Sequence, residues 1–324
     1  METEVVEKSR GLAPDRICSM ENRFLGIEIG GTKLQIVAGN GAGGIEERFR
    51  FAVRPAEGGA GIRRQIEETL CHLAPRFKPA AIGVGFGGPV DWQTGVICCS
   101  HHIAGWTDFP LGEWLSGLAH APVLVDNDAN VAALGEARRG AGAGLNPVFY
   151  VTLGSGVGGG LVLDGRIFHG ARPGEAEIGH VRLDRSGIIL ESRCSGWAVD
   201  AKVRGAIAEN PSGLLAGQAG RATGGEARFI APALAGGDPD ARRILDETAG
   251  DLGFGLSHVA QLFHPEAIVL GGGLSLLGEP LRAAVERSLL PFVMKAFRPG
   301  PKVLLAGLGE EAVPVGALEL AKGS

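Results

Sequence analysis

The chain has 324 residues, 45% of them hydrophobic and 21% charged, with a net charge of -5. That length supports a large core and two domains, and the composition is that of an ordinary globular protein. The acidic balance excludes a nucleic-acid binder held by a basic face, and no run approaches the ~20 apolar residues of a membrane span. Five cysteines (Cys18, Cys71, Cys98, Cys99, Cys194) include no C-x-x-C pair. An odd number without that spacing fits free thiols in a reducing cytosol, hence a cytoplasmic protein. The first residues are charged and lack the apolar stretch of a signal peptide, so 1–23 reads as a mobile tail.

In chain order, 24–29 and 34–38 read as strands joined at Gly30-Gly31-Thr32-Lys33, with a third strand at 48–53. Ile62, Ile66, Leu70 and Leu73 have helical spacing. A buried strand at 80–85 runs into GFGGPVD, followed by a helix at 111–118, a strand at 122–125 and an alanine-rich helix at 127–137. The opening pattern then recurs: strand 148–153, the turn Gly154-Ser155-Gly156, and strand 160–163. A helix at 192–202 and a long one at 240–263 lead to strand 267–270 and the turn Gly271-Gly272-Gly273. Helices at 280–290 and 312–321 flank a last strand at 302–305. Alternating strands and helices mean an α/β fold, and the repeated strand–turn–strand unit implies two related halves. The expected domains are 24–125 and 126–324, with the helix at 312–321 a candidate to pack back on the first.

The dinucleotide pattern G-x-G-x-x-G occurs three times, at Gly39, Gly83 and Gly154, but none opens a clear helix, so that reading fails on context. A Walker loop is absent. A tight glycine turn can still gather backbone N–H groups around an anion, with Thr32 or Ser155 adding a hydroxyl. One such turn alone reads as a hairpin. Two matching turns and a third glycine cluster favour a nucleotide cradle.

VDNDANVAALGEA sets Asp126, Asn127 and Asp128 at a strand end and helix start. A helix cap needs one such residue, not three, and strand ends are where α/β proteins bind ligands. An aspartate there can take a proton from a hydroxyl that attacks phosphorus. GEAEIGHVRL supplies Glu175, Glu177 and His180, a carboxylate and imidazole set suited to a polyol or to a solvated loop. Glu191 is either a further ligand or a first-turn acid. His101-His102 has no companion at metal-ligand spacing and is read as structural.

Together these stretches resemble the ROK family of sugar kinases and sugar-responsive repressors, from about Phe24 to the C-terminus. EIGGTK resembles its first phosphate loop, GFGGPVD its substrate-side glycine turn and DNDANVAA its catalytic segment. TLGSGVGGG resembles its second phosphate loop, EIGH its sugar motif and IVLGGGLS its nucleotide-side glycines. The resemblance implies a two-domain, actin-like (ribonuclease H-like) α/β ATPase fold with mixed sheets and a cleft between domains. It implies Asp128 as general base, with Asn127, Gly87, Glu177, His180 and Glu191 at the sugar. Gly30, Gly31, Thr32, Lys33, Gly154, Ser155 and Gly156 would hold ATP phosphates, with Gly271, Gly272 and Gly273 nearer the adenosine, Mg²⁺ bridging the phosphates, and a homodimer.

The chain departs from the family in three places. Glu28 stands where the family has aspartate, one methylene farther out, so metal contact is expected through water. The zinc motif C-x-C-G-x-x-G-C-x-E is missing: Arg182, Asp184 and Ile189 fall at its cysteine positions and Cys194 lies beyond it. No zinc is expected, and apolar packing by Ile188, Ile189 and Leu190 is expected to take over its shaping role. His101 to Trp106 replaces a segment where the family carries an asparagine near the sugar. The reading is an ATP- and Mg²⁺-dependent kinase of a hexose primary hydroxyl. Glucose leads, and N-acetylmannosamine, N-acetylglucosamine and fructose are the alternatives. A repressor's helix-turn-helix is not expected in the 23 residues before Phe24. A sugar-binding protein without catalysis is the remaining alternative, disfavoured by Asp128 and the two phosphate turns.

Overall fold

The computed structural model describes residues 22–41, 44–100, 103–174, 176–220 and 222–323. Residues 1–21 of the tail expected at 1–23, and the readings of Cys18, His101, His102 and Glu175, lie outside them. The strands are β1 (Arg23–Ile29), β2 (Lys33–Asn40), β3 (Ile45–Ala52), β4 (Ala81–Phe86), β5 (Val90–Asp91), β6 (Val96–Ile97) and β7 (Phe109–Pro110). They continue with β8 (Val123–Asn127), β9 (Val148–Leu153), β10 (Val157–Leu163), β11 (Arg166–Ile167), β12 (Ala267–Gly271) and β13 (Lys302–Leu305). The helices are α1 (Gly58–Phe77), α2 (Leu111–Ala119), α3 (Asp128–Arg139), α4 (Glu191–Cys194), α5 (Gly196–Glu209) and α6 (Leu214–Ala219). After them come α7 (Ile230–Ala235), α8 (Pro239–Phe263), α9 (Glu279–Leu289) and α10 (Ala312–Ala321).

The described residues form two compact units: unit 1 falls within 1–139, 165–175 and 310–324, and unit 2 within 140–164 and 176–309. A boundary at Val125 therefore falls too early. Helix α3 stays with unit 1 because it packs tightly on α10, where Arg139 Nε donates to Glu319 Oε1 at 2.7 Å. A Cβ at Gly316 would overlap the Val131 carbonyl oxygen, so these two helices touch backbone to backbone.

In unit 1 the sheet order is β3-β2-β1-β4-β8. β1 pairs antiparallel with β2 and parallel with β4, placing Glu28 opposite Gln35 on one side and Gly85 on the other. A strand paired on both edges and covered on both faces must be apolar throughout, and β1 is buried from Phe24 to Ile29. Helix α1 buries Ile62, Ile66, Leu70 and Leu73, the periodic set seen in the sequence. Gly83 has another use than nucleotide binding: a Cβ there would overlap the Ala317 oxygen of α10. The G-x-G-x-x-G match at Gly83 thus reflects helix-on-sheet packing.

In unit 2 the strands run β10-β9-β12-β13, with β9 antiparallel to β10 and parallel to β12. This repeats the β2-β1-β4-β8 order of unit 1, so the sequence echo is an echo of topology. β10 starts at Val157, three residues before the expected start. Its glycines keep strand pairing because the surface is crowded: a Cβ at Gly159 would lie 2.9 Å from Phe149 Cζ and 3.0 Å from Ala176 O. The single helix expected at 192–202 is two, α4 and α5. Ser195 breaks it with extended backbone (φ -66, ψ 157), and its hydroxyl accepts the Ala198 N–H to cap α5. The core of unit 2 is built on Phe149, Leu161, Leu252, Leu256, Ile268 and Leu270.

Candidate functional site

In unit 1 the first glycine turn closes on itself: the Gly30 N–H donates to Lys33 O at 3.0 Å. Among the described residues the Gly31 and Thr32 amides make no such bond, and Thr32 is exposed. These two, with the Thr32 hydroxyl, are the donors the turn can offer an anion. Glu28, only 6% exposed, sits beneath it. Gln35 Nε2 donates to its Oε2 at 2.6 Å, Lys33 Nζ lies 3.2 Å from its Oε1, and Arg50 Nε holds Gln35 Oε1 at 2.7 Å. Burial pushes the Glu28 carboxyl above its ordinary pKa, while Lys33, Gln35 and Arg50 pull the other way.

The β8–α3 junction divides its three polar residues among separate tasks. Asp126 is 3% exposed, and its Oδ1 accepts the Asn127 N–H at 2.8 Å and Asn130 Nδ2 at 2.9 Å. Asn127 caps α3: its Oδ1 accepts the amides of Ala129 at 2.8 Å and Asn130 at 3.3 Å. Its Nδ2 donates to Gly88 O at 3.2 Å, leaving one amide hydrogen for a ligand. Asp128 is the member left for chemistry. Desolvation raises its carboxyl to about 7, the charge of Glu28 adds to the rise, and backbone amides and Lys33 oppose it. Gly87 keeps the space beside it open, since a Cβ there would lie 3.3 Å from Asp128 Oδ2 and 3.4 Å from Ile29 O. Gly30, Gly31 and Gly87 also line one small cavity with Phe86, Ser100 and Trp106.

In unit 2 the second turn is built alike: the Gly154 N–H donates to Gly156 O at 3.0 Å, leaving the Ser155 and Gly156 amides. Glu191 is tied to this turn. Its Oε2 accepts the Val157 N–H at 2.9 Å, and a Cβ at Gly156 would lie 2.6 Å from that oxygen. One oxygen of Glu191 thus braces the glycine turn, and only the other is left for a ligand. Glu177 precedes the 3-10 turn Ile178–His180 and His180 ends it, and both are exposed. Gly179 lets that turn press on the start of β10, where a Cβ would overlap Val157 O. The sugar-motif turn, Glu191 and the second glycine turn therefore converge on Val157. Gly271 and Gly272 pack against Tyr150 and Leu153, whereas a Cβ added at Gly273 or Gly154 would meet nothing within 4 Å among the described residues.

The segment at the family's zinc position is organised by Asp184. Its Oδ1 accepts the Ser186 amide at 2.7 Å, the Ser186 hydroxyl at 2.6 Å and the Gly187 amide at 3.1 Å. Those hydrogen bonds hold its carboxyl below the usual range. Among the expected apolar residues Leu190 is fully buried but Ile188 is 38% exposed, so apolar packing alone does not organise this segment. The Asp184-x-Ser-Gly spacing of an Asx turn was readable in the sequence. Among the described residues no group of three or more His, Cys, Asp and Glu side chains is placed to hold a metal ion. A magnesium ion asks less of the protein, one or two carboxylates plus water and phosphate. Glu28 and Asp128 fit it, because they repel each other and a cation would relieve that repulsion.

Sequence reasoning missed His169 and Trp92. His169 Nε2 lies 2.6 Å from Asp126 Oδ2, and the Trp92 ring stacks on the imidazole at 4.1 Å. No local signal marks either residue, because their partners are 43 and 77 positions away.

Two units with one strand order, each carrying a strand–glycine turn–strand element, and an aspartate at a strand end define an actin-like ATPase fold of the sugar-kinase type. Residues 24–324 match the ROK family, and the chain belongs to it. It is 32% identical over 313 residues to the glucokinase of Halalkalibacterium halodurans, covering 92% of this chain and 94% of that one. It is 33% identical over 324 residues to the glucokinase of Streptomyces coelicolor, covering 92% and 97%. The ROK glucokinase of Streptomyces griseus, solved with glucose and AMPPNP, superposes with a TM-score of 0.80 at 32% identity, covering 94% of this chain and 100% of that one.

Proposed function

We propose that this ATP-dependent sugar kinase phosphorylates the primary hydroxyl of a hexose, glucose first, with Asp128 as the general base. The observation that carries the reading is the Asp128 carboxyl. It sits at the start of α3 with its pKa raised to about 7, where it can accept a proton and release it near neutral pH. The sugar hydroxyl attacks the γ-phosphorus in line while Asp128 takes its proton, and the bond from that phosphorus to the β–γ bridging oxygen breaks to release ADP. The Gly31, Thr32, Ser155 and Gly156 amides and the Lys33 ammonium hold phosphate oxygens, and the open backbone at Gly273 faces the nucleoside. Asn127, Gly87, Glu177, His180 and the second oxygen of Glu191 position the sugar. Such a site works by placement and charge neutralisation, as phosphoryl transfer requires. Glu28 would hold Mg²⁺ through water, and the ion would neutralise charge on the β- and γ-phosphates.

The relatives named glucokinase support glucose over the other sugars. A cytosolic homodimer belongs to the same reading. It is supported by exposed Leu262, Leu290 and Phe292 on unit 2 and by the free thiols Cys71, Cys99 and Cys194. The test is ADP release over glucose, fructose, mannose, N-acetylmannosamine and N-acetylglucosamine, with Asp128→Asn beside the wild type. Glucose-dependent ADP from the wild type, lost in the variant, is expected. No sugar-dependent ADP from any of them refutes the reading, and an active Asp128→Asn refutes the base.

A further inference from the structure

His169 lies outside every motif that the family resemblance covers, whereas its partner Asp126 opens the DNDANVAA segment. Asp126 is almost wholly buried, and a buried carboxylate must have its oxygens satisfied. One oxygen is satisfied by the catalytic turn itself, through the Asn127 amide and the Asn130 side chain. Among the described residues the other meets His169, at 2.6 Å. The imidazole is held in plane by Trp92, whose ring lies 12° from parallel. The segment carrying His169 is clamped a second time at Gly174, whose carbonyl accepts Asn130 Nδ2 at 3.0 Å. Asn130 thus bridges Asp126 and Gly174, and the catalytic turn and residues 169–174 form one hydrogen-bonded frame. Behind it lies a cavity of about 230 Å³ lined by Trp92, Asp126, Leu134, Arg138, Arg166 and His169.

We propose that His169 is a positioning residue for the phosphoryl-transfer step: it orients the Asp126 carboxylate, which fixes the Asn127–Asn130 turn and so the direction of the Asp128 carboxylate. His169 touches no reacting atom in this scheme. The proposal rests on the reading of Asp128 as the base. Its physical basis is that small displacements of a catalytic group reduce rate far more than binding. Removing the imidazole also leaves a buried carboxylate oxygen unpaired, which loosens the turn.

The cavity makes a chemical test possible, because imidazole added from solution can enter beside the vacated position, stack on Trp92 and donate to Asp126. The experiment compares wild type, His169→Gly and His169→Gln in full-length protein. It measures kcat and the hexose KM with and without millimolar imidazole, and amide hydrogen exchange at Asn127 and Ala129. His169→Gly is expected to lose about tenfold to a hundredfold in kcat with little change in KM. Imidazole should restore part of that loss and slow the accelerated exchange, and should do neither in the wild type. His169→Gln keeps a donor and should retain more kcat than the glycine variant, which guards against a folding defect in the latter. Wild-type kcat in both variants, or a loss that imidazole does not relieve, overturns the proposal. If the wild type transfers no phosphate to any sugar, the kinase reading fails. The exchange data then still decide the clamp, with unchanged protection in His169→Gly refuting it.

Discussion

Asp128→Asn should abolish transfer and, above neutral pH, make the protein more stable. The Asp128 carboxyl rises from 3.8 to about 7 on folding. A shift of roughly three units at about 1.4 kcal/mol each sets a ceiling of about 4 kcal/mol. The side chain keeps partial exposure, so about half of that is the working figure. Because the folded-state value is the higher one, the folded form binds the extra proton. Its contribution to stability is complete below pH 3.8, shrinks as pH rises from there, and is gone above about 7. Asparagine has no proton to lose, so the variant escapes this decline. Its stability advantage should widen by about 1–2 kcal/mol between roughly pH 5 and pH 8. Urea unfolding of both proteins at the two pH values reads this directly, with wild-type kcat rising through about pH 7 as the companion observation. A gap that stays constant with pH would refute the claim that burial and Glu28 hold this carboxyl up.

Glu28→Gln removes the second cause of that elevation. The midpoint of the pH–rate profile should move to lower pH, while more Mg²⁺ is needed for half-maximal rate, both measured by ADP release. Asp184→Ala deletes the acceptor that gathers the Ser186 and Gly187 amides. It should raise the sugar KM severalfold with less effect on the KM for ATP, and equal changes in both would show that the turn does not serve the sugar motif. Gly316→Ala forces a Cβ into the Val131 carbonyl between α3 and α10. It should destabilise by about 1–3 kcal/mol in denaturant unfolding, and a neutral result would mean the two helices separate easily.

The sequence by itself determined the α/β class, the paired glycine turns, the Asn127–Asp128 junction and the family, because each is local. A turn needs its small residues side by side, a helix cap needs its acceptor at the helix start, and periodicity repeats within a dozen residues. Only the tertiary structure decided what those residues are joined to. It showed Glu191 bracing Val157, Glu28 in a relay with Gln35 and Arg50, Gly83 admitting helix α10, and Gly316 of α10 admitting helix α3. It also brought His169 to Asp126 and lifted Asp128 to about 7. Burial and charge proximity depend on chain segments far apart in sequence, so hydrogen-bond partners and proton affinities become fixed only when the sheets and helices have packed.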